Sequence, residues 1–131
     1  MDSPALFSLA SNRSLEEIDA ALRDSAARHS FGVLTVHDLK QKLAEKGVPL
    51  DMECRVYEVC NPRQAKSVLE VNGAISTALP CRISVYSEGG ANRIAALLPT
   101  ALMQAFDAPE AAAAAREVEA VMTQMIRDAA G

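Results

Sequence analysis

Tryptophan is missing from this chain, and only two tyrosines and three phenylalanines occur among its 131 residues. Any core must therefore be mainly aliphatic. Histidine occurs twice, as His29 and His37, at a spacing unlike that of a metal pair. Cysteine occurs three times, as Cys54, Cys60 and Cys81, with no C-x-x-C. A closed structural zinc site needs four such ligands in a compact pattern, and this inventory excludes one. An odd cysteine number also argues against a secreted disulfide framework. There is no basic excess: 13 Lys and Arg face 17 Asp and Glu, a net charge of −4. Nucleic-acid binding relies on a basic face, so no nucleic-acid partner is expected. Long hydrophobic runs are lacking too. The longest uncharged apolar stretch, residues 95–106, contains Pro99, Thr100 and Gln104 and is too short to span a bilayer. Asp2 sits where a secretory signal carries Lys or Arg, and the apolar run over residues 5–10 is broken by Ser8. The terminal Ala-Ala-Gly is no lipidation motif. The expectation is a soluble, cytoplasmic protein without a membrane partner. There is no Gly-rich phosphate loop and no G-x-S-x-G.

Half of the residues are hydrophobic and 23% are charged. That is ordinary globular composition, enough for one core but not two. We expect a single domain over residues 1–131, with no linker and no internal repeat. A short first strand is predicted over residues 5–10. Ser14 and Glu17 have the spacing of a capping box, and Leu15, Ile18, Leu22 and Ala26 follow at helical spacing. A helix is expected from residue 14 to about 27. The β-branched run over residues 31–36 predicts a second strand. Asp38 caps a short helix reaching Lys46, with Leu39 and Leu43 on one face and Gly47 and Pro49 ending it. Its charges at Lys40, Lys42, Glu45 and Lys46 suit a solvated face. A third strand is predicted over residues 52–60. Asn61-Pro62 then places Asn at the cap and Pro in the first turn of a helix carrying Ala65, Val68 and Leu69 inward. Asn72-Gly73 closes that helix, and residues 74–79 read as a further helical turn or as a loop. A fourth strand over residues 81–86, a hairpin turn over 88–92 and a fifth strand over 93–98 follow, stopped by Pro99. The spacing of Asp107 and Glu110 is again that of a capping box, opening a long last helix. Its inner stripe is Ala111, Ala114, Ala115, Val118, Met122, Met125 and Ile126. The order predicts an α+β sandwich: one antiparallel sheet with helices mainly on one face.

Chemistry concentrates at one place. Cys60 ends the third strand and directly precedes the cap of the Asn61-Pro62 helix. Unpaired N–H groups and a partial positive charge at a helix start favour a thiolate, so a thiol pKa below the free value of about 8.5 is expected. Cys81 follows Pro80 and opens the fourth strand. If strands three and four are antiparallel neighbours, Cys60 and Cys81 meet. Cys54 lies six residues before Cys60, about 20 Å along an extended strand, and is expected to pack in the core. By strand alternation Cys54, Val56, Glu58 and Cys60 share one face, and Cys81, Ile83 and Val85 share one face. If both faces are helix-covered, Glu58 is half-buried beside Cys60. There it opposes the helix effect on the thiol, or serves as proton acceptor or metal ligand. His37, beside Asp38, reads as a polar residue at a strand end. Met122 and Met125 read as core filling.

The order Phe31-Gly32-Val33-Leu34, Asp38-Leu39, Lys46-Gly47, Glu58-Val59-Cys60-Asn61-Pro62 with Ala65, and Leu79-Pro80-Cys81-Arg82-Ile83-Ser84-Val85-Tyr86 resembles the domain-of-unknown-function family 302. The resemblance runs over about residues 14–127, with Cys-Asn-Pro and Leu-Pro-Cys its most specific parts. It implies a β-α-β(4)-α arrangement similar to the TATA-box-binding-protein class, with a curved antiparallel sheet and helices on one side. It also implies self-association as a homodimer. It brings no established catalytic residues, and it does not imply DNA binding, since fold alone does not give function. Its motif positions direct attention to Cys60, Asn61, Pro62, Pro80 and Cys81.

Three functional classes compete. The leading expectation is a small cytoplasmic binding or carrier module, dimeric, with its site at Cys60, Cys81, Asn61 and Glu58. Sulfur transfer, thiol redox and soft-metal or haem binding all suit two thiols. The second class is a structural or interaction module whose cysteines only pack. The third is an enzyme with Cys60 as nucleophile and Glu58 or His37 as proton acceptor, which no triad spacing supports. No motif names a cofactor or a dedicated metal site.

Overall fold

The computed structural model describes residues 3–131; the reading of Asp2 lies outside them. The capping box at the first helix forms as the spacing predicts. Glu17 N–H donates to the Ser14 hydroxyl at 3.1 Å, and Ser14 N–H donates to the Glu17 carboxylate at 3.0 Å. This opens α1 (Leu15–Arg28), which links β1 (Leu6–Ser11) to β2 (Gly32–Asp38). The Asp38 carboxylate accepts from the Gln41 N–H and caps α2 (Leu39–Glu45). Then come β3 (Cys54–Cys60), α3 (Pro62–Val71) and a 3-10 turn at Gly73–Ala78. β4 (Cys81–Glu88) and β5 (Ala91–Leu97) form a hairpin around Gly89 and Gly90, whose φ values of 60° and 81° suit a two-residue turn with both centres left-handed. The chain ends with α4 (Pro99–Met103), a 3-10 turn at Pro109–Ala111 and α5 (Ala112–Ala130).

All five strands lie in one curved antiparallel sheet of order β1-β5-β4-β3-β2. Strands two to five follow one another as a meander. β1 inserts at the far edge beside β5, so α1 must cross the sheet to reach β2 at the other edge. α5 lies next to α1. Between these helices and the sheet is the main core: Ile18, Leu22 and Ala26 from α1, Met122, Met125 and Ile126 from α5, and Tyr57, Val59, Ile83, Val85 and Ile94 from the strands. Burying these side chains is the dominant favourable term, at about 25 cal/mol per Å² of apolar surface removed from water. Small residues let α1 and α5 approach, and Ser25 donates to Asp128 across the seam at 2.8 Å. Arg13 donates to the Asp128 carbonyl at 3.1 Å, placing a cation on the orphan carbonyls at the end of α5. A smaller cluster of Val68, Ile75, Ala108, Ala111 and Ala114 joins α3, the following 3-10 turn and the start of α5.

The predicted α+β class, the β-α-β(4)-α order and the helix-covered face are all observed. Several details differ. The fourth strand runs two residues further, to Glu88, and the fifth starts earlier, at Ala91, because the turn needs only the two glycines. A short helix follows Pro99 where the sequence suggested only a stop; proline is well tolerated in a first turn. The expected capping box at Asp107 does not form. Pro109 starts a 3-10 turn, and α5 begins at Ala112 without a side-chain cap. Residues 73–78, ambiguous in sequence, form the 3-10 turn. Leu69 was expected inward but is 37% exposed, while Val68 is buried.

Candidate functional site

Asn61 starts α3 as predicted. Its side-chain oxygen accepts from the N–H groups of Arg63 at 3.0 Å and Gln64 at 3.1 Å, with Pro62 in the first turn. This cap turns the chain sharply away from the end of β3. The turn leaves a cavity of about 50 Å³ between the sheet end, α3 and α5. Val59, Cys60, Ala65, Val68, Cys81 and Val118 are among its walls, which are almost wholly apolar. Cys81 pairs with Val59 across β3 and β4, one residue from Cys60. The structure thus brings Cys60 and Cys81 to one cavity, as expected for antiparallel neighbours. Cys54 pairs with Tyr86 at the other end of the ladder.

The electrostatics run opposite to the expectation for Cys60. Burial pushes the Cys60 thiol up from the ordinary value, not down. The physical reason is visible at the cap. Asn61 already occupies the helix-start donors that a thiolate would need, and Pro62 has none to offer. Burial, reinforced by the neighbouring Cys60 thiol, pushes Cys81 up to about 11. Both thiols are thus held protonated at neutral pH.

Glu58 is the second correction. Tyr57 and Val59 are each 1% exposed and fill the helix-covered face of β3. Strand alternation then sends Cys54, Val56 and Glu58 to the uncovered face, while Cys60, expected on the same face as they are, stands at the end of β3 and lines the cavity beside α3. β4 follows the predicted alternation, with Ile83 and Val85 in the core. Packing an aromatic ring and Val59 outweighs packing a carboxylate. Cys54 correspondingly lies outside both core clusters, not within them. Glu58 instead lies 3.2 Å from His37 Nε2 and 3.7 Å from Arg82 Nε. Lys42 Nζ stands 2.6 Å from His37 Nδ1. An ammonium only donates, so Nδ1 accepts and the Nε2 proton faces Glu58. His37 is therefore tied into a charged row, and neither it nor Glu58 serves the thiol cavity. The α2 charges are solvated as expected at Lys42, Glu45 and Lys46, which are exposed, while Lys40 is half-buried and reaches Glu53 at 3.2 Å. His29 closes α1, with Nδ1 2.8 Å from the Ser25 carbonyl. Among the described residues no group of three or more His, Cys, Asp or Glu is placed to hold a metal ion.

Tyr57 was missed in the sequence reading. Its hydroxyl donates to Asp19 at 2.7 Å across the α1 seam, and burial followed by the Asp19 contact raises its pKa strongly. Burial opposes ionisation of Asp19, yet hydrogen bonds from Tyr57 and Arg23 hold its carboxyl below the usual range. A tyrosine alternating with Arg55 and Val59 was the available signal. No helix among the described residues is long and apolar enough to cross a membrane.

Comparison with known proteins matches this geometry to a family. The crystal structure of an uncharacterized conserved DUF302 protein from Bacillus stearothermophilus superposes with a TM-score of 0.91. That chain is 28% identical, and the alignment covers 97% of the present chain and 99% of the other. No curated protein matches. The family model described as domain of unknown function DUF302 matches residues 7–129, nearly the whole chain. The sheet order, the Cys-Asn-Pro cap and the Leu-Pro-Cys strand start thus sit in a chain that belongs to the DUF302 family.

Proposed function

We propose that this protein is a small cytoplasmic binding and carrier module, homodimeric, that holds a small soft ligand at Cys60 and Cys81. One observation carries the reading: two thiols line a single small apolar cavity that no charged side chain enters. A space of about 50 Å³ is the room of one or two waters. That favours a single soft ion over a macrocycle such as haem. Thiolates select soft monovalent metals. Uptake of one such cation forms two metal–sulfur bonds and releases both thiol protons. Raised thiol pKa values make this uptake strongly pH-dependent.

Silver(I) titration of the reduced protein, read by native mass and by proton release, tests the reading. One ion retained per chain and about two protons released are expected. Cys60→Ser and Cys81→Ser should each abolish retention without changing the far-ultraviolet spectrum. Wild-type retention in both variants rejects the site. Sedimentation equilibrium tests the dimer separately.

A second reading has its own support. The same burial that raises both thiols also makes them poor nucleophiles, as in an interaction module whose cysteines only pack. Its signature is alkylation of all three thiols only after denaturation. The enzyme reading loses its proton acceptor, because Glu58 and His37 belong to the opposite face of the sheet.

A further inference from the structure

A second, larger cleft of about 460 Å³, within the range of small-molecule sites, opens on the face of the sheet opposite α1 and α5 and reaches past the start of β4 and the end of β5 to Met122 of α5. Its floor is apolar: Leu6, Val56, Ala95 and Leu97 come from β1, β3 and β5 and all point away from the main core. Pro80 and Leu102 close one end. Leu97 is 51% exposed, an unusual state for a large aliphatic side chain in a sheet.

Polar groups converge on this floor from a single strand. Arg82, Ser84 and Tyr86 alternate along β4 and so stand on one face. Among the described residues the Ser84 and Tyr86 hydroxyls have no hydrogen-bond partner in the protein. Arg82 makes no hydrogen bond there either, and its only ion pair, Nε to Glu58, is 3.7 Å long. Among the described residues the two terminal nitrogens of the guanidinium have no hydrogen-bond partner at the mouth of this apolar cleft, and their fork geometry suits a carboxylate. Glu58 is engaged on its other oxygen by His37 at 3.2 Å. Its charge beside Arg82 admits one further negative charge but weighs against two.

We infer that the uncovered sheet face is a binding site for a small amphipathic monocarboxylate, with the apolar body on Val56, Ala95 and Leu97 and the carboxylate on Arg82. Ser84 and Tyr86 orient the head group. The site is separate from the proposed thiol function, although Cys81 stands in the wall between the two cavities.

Octanoate is the probe, titrated into the ¹⁵N-labelled full chain and followed by amide chemical shifts. Saturable shifts at Ser84, Tyr86 and Ala95 are expected. Arg82→Gln should weaken octanoate at least tenfold and leave octanol unchanged. Arg82 is largely exposed, so this variant should retain its fold, and its own spectrum verifies that. Tyr86→Phe should weaken octanoate by a smaller factor, and octanedioate should bind more weakly than octanoate. Cys60→Ser should bind octanoate as wild type does, which separates this site from the thiol cavity. Octanoate shifts confined to the thiol cavity, an absence of saturation, or undiminished binding to Arg82→Gln would overturn the inference.

Discussion

Cys81 is the more deeply buried of the two cavity thiols, and its proton is the harder one to remove. Its folded value of about 11 lies above the ordinary 9.0. Below about pH 8.5 the folded and unfolded chains both hold this proton, and its contribution to stability is fully present. As pH rises the unfolded chain releases the proton first, so stability falls until the folded thiol itself titrates. Urea midpoints between pH 7 and 10 should therefore decline, and Cys81→Ser should remove part of that slope between pH 9 and 10. An identical slope in the variant contradicts the assignment. Asn61 acts differently, by occupying donors. Asn61→Ala should cost about 1 kcal/mol in urea unfolding. Because it frees helix-start N–H groups beside Cys60, it should also speed alkylation of that thiol at pH 8.

At the level of elements, the α1–α5 seam holds the helical layer together. Ser25 is fully buried there and donates to Asp128 at 2.8 Å. The Ser25 hydrogen bond, followed by one from Gln124, holds the Asp128 carboxyl below its ordinary value. A depressed folded value means stability that is present above about pH 4 and lost as pH falls through the folded pKa. Ser25→Ala should cost about 1 kcal/mol at pH 7. That cost should shrink as pH falls through the lowered folded pKa of Asp128, once the carboxyl is protonated. Acid titration of the two proteins by circular dichroism checks the convergence. The β4–β5 hairpin depends on backbone conformation instead. Gly90 has φ 81°, so Gly90→Ala should destabilise by about 1 kcal/mol without a change in the core.

For the whole molecule, one face of the sheet is thermodynamically busy and the other is free for binding. Ile126 is completely buried between α5 and the sheet, whereas Leu97 is 51% exposed on the far face. Ile126→Ala should cost about 2–5 kcal/mol, and Leu97→Ala less than about 0.5 kcal/mol. Paired urea denaturation curves give both values. A large cost at Leu97 would show that something covers the open face in solution. The asymmetry follows from topology: the crossing of α1 from β1 to β2 and the return of α5 put every long helix on one side.

Much of this was legible in the chain alone. Capping at Ser14, Asp38 and Asn61, the paired glycines and the periodic apolar positions act over a few residues. Their physics is local, so they determined the order of elements and the ends of α1 and α3. The meeting of Cys60 and Cys81 also followed, because antiparallel neighbours bring one strand's end to the next strand's start. What remained open depended on competition. Which face of β3 turned inward was decided by Tyr57 and Val59 outbidding Glu58 for the core, and a period-two pattern looks the same from either side. The rise of the Cys60 pKa needed the three-dimensional fact that Asn61 had already taken the helix-start donors. The failed cap at Asp107 needed Pro109 to settle into a 3-10 turn. The cleft over Arg82, Ser84 and Tyr86 needed four strands side by side. Local sequence determined the elements; only the tertiary structure decided which faces were buried, because burial is settled among all the side chains at once.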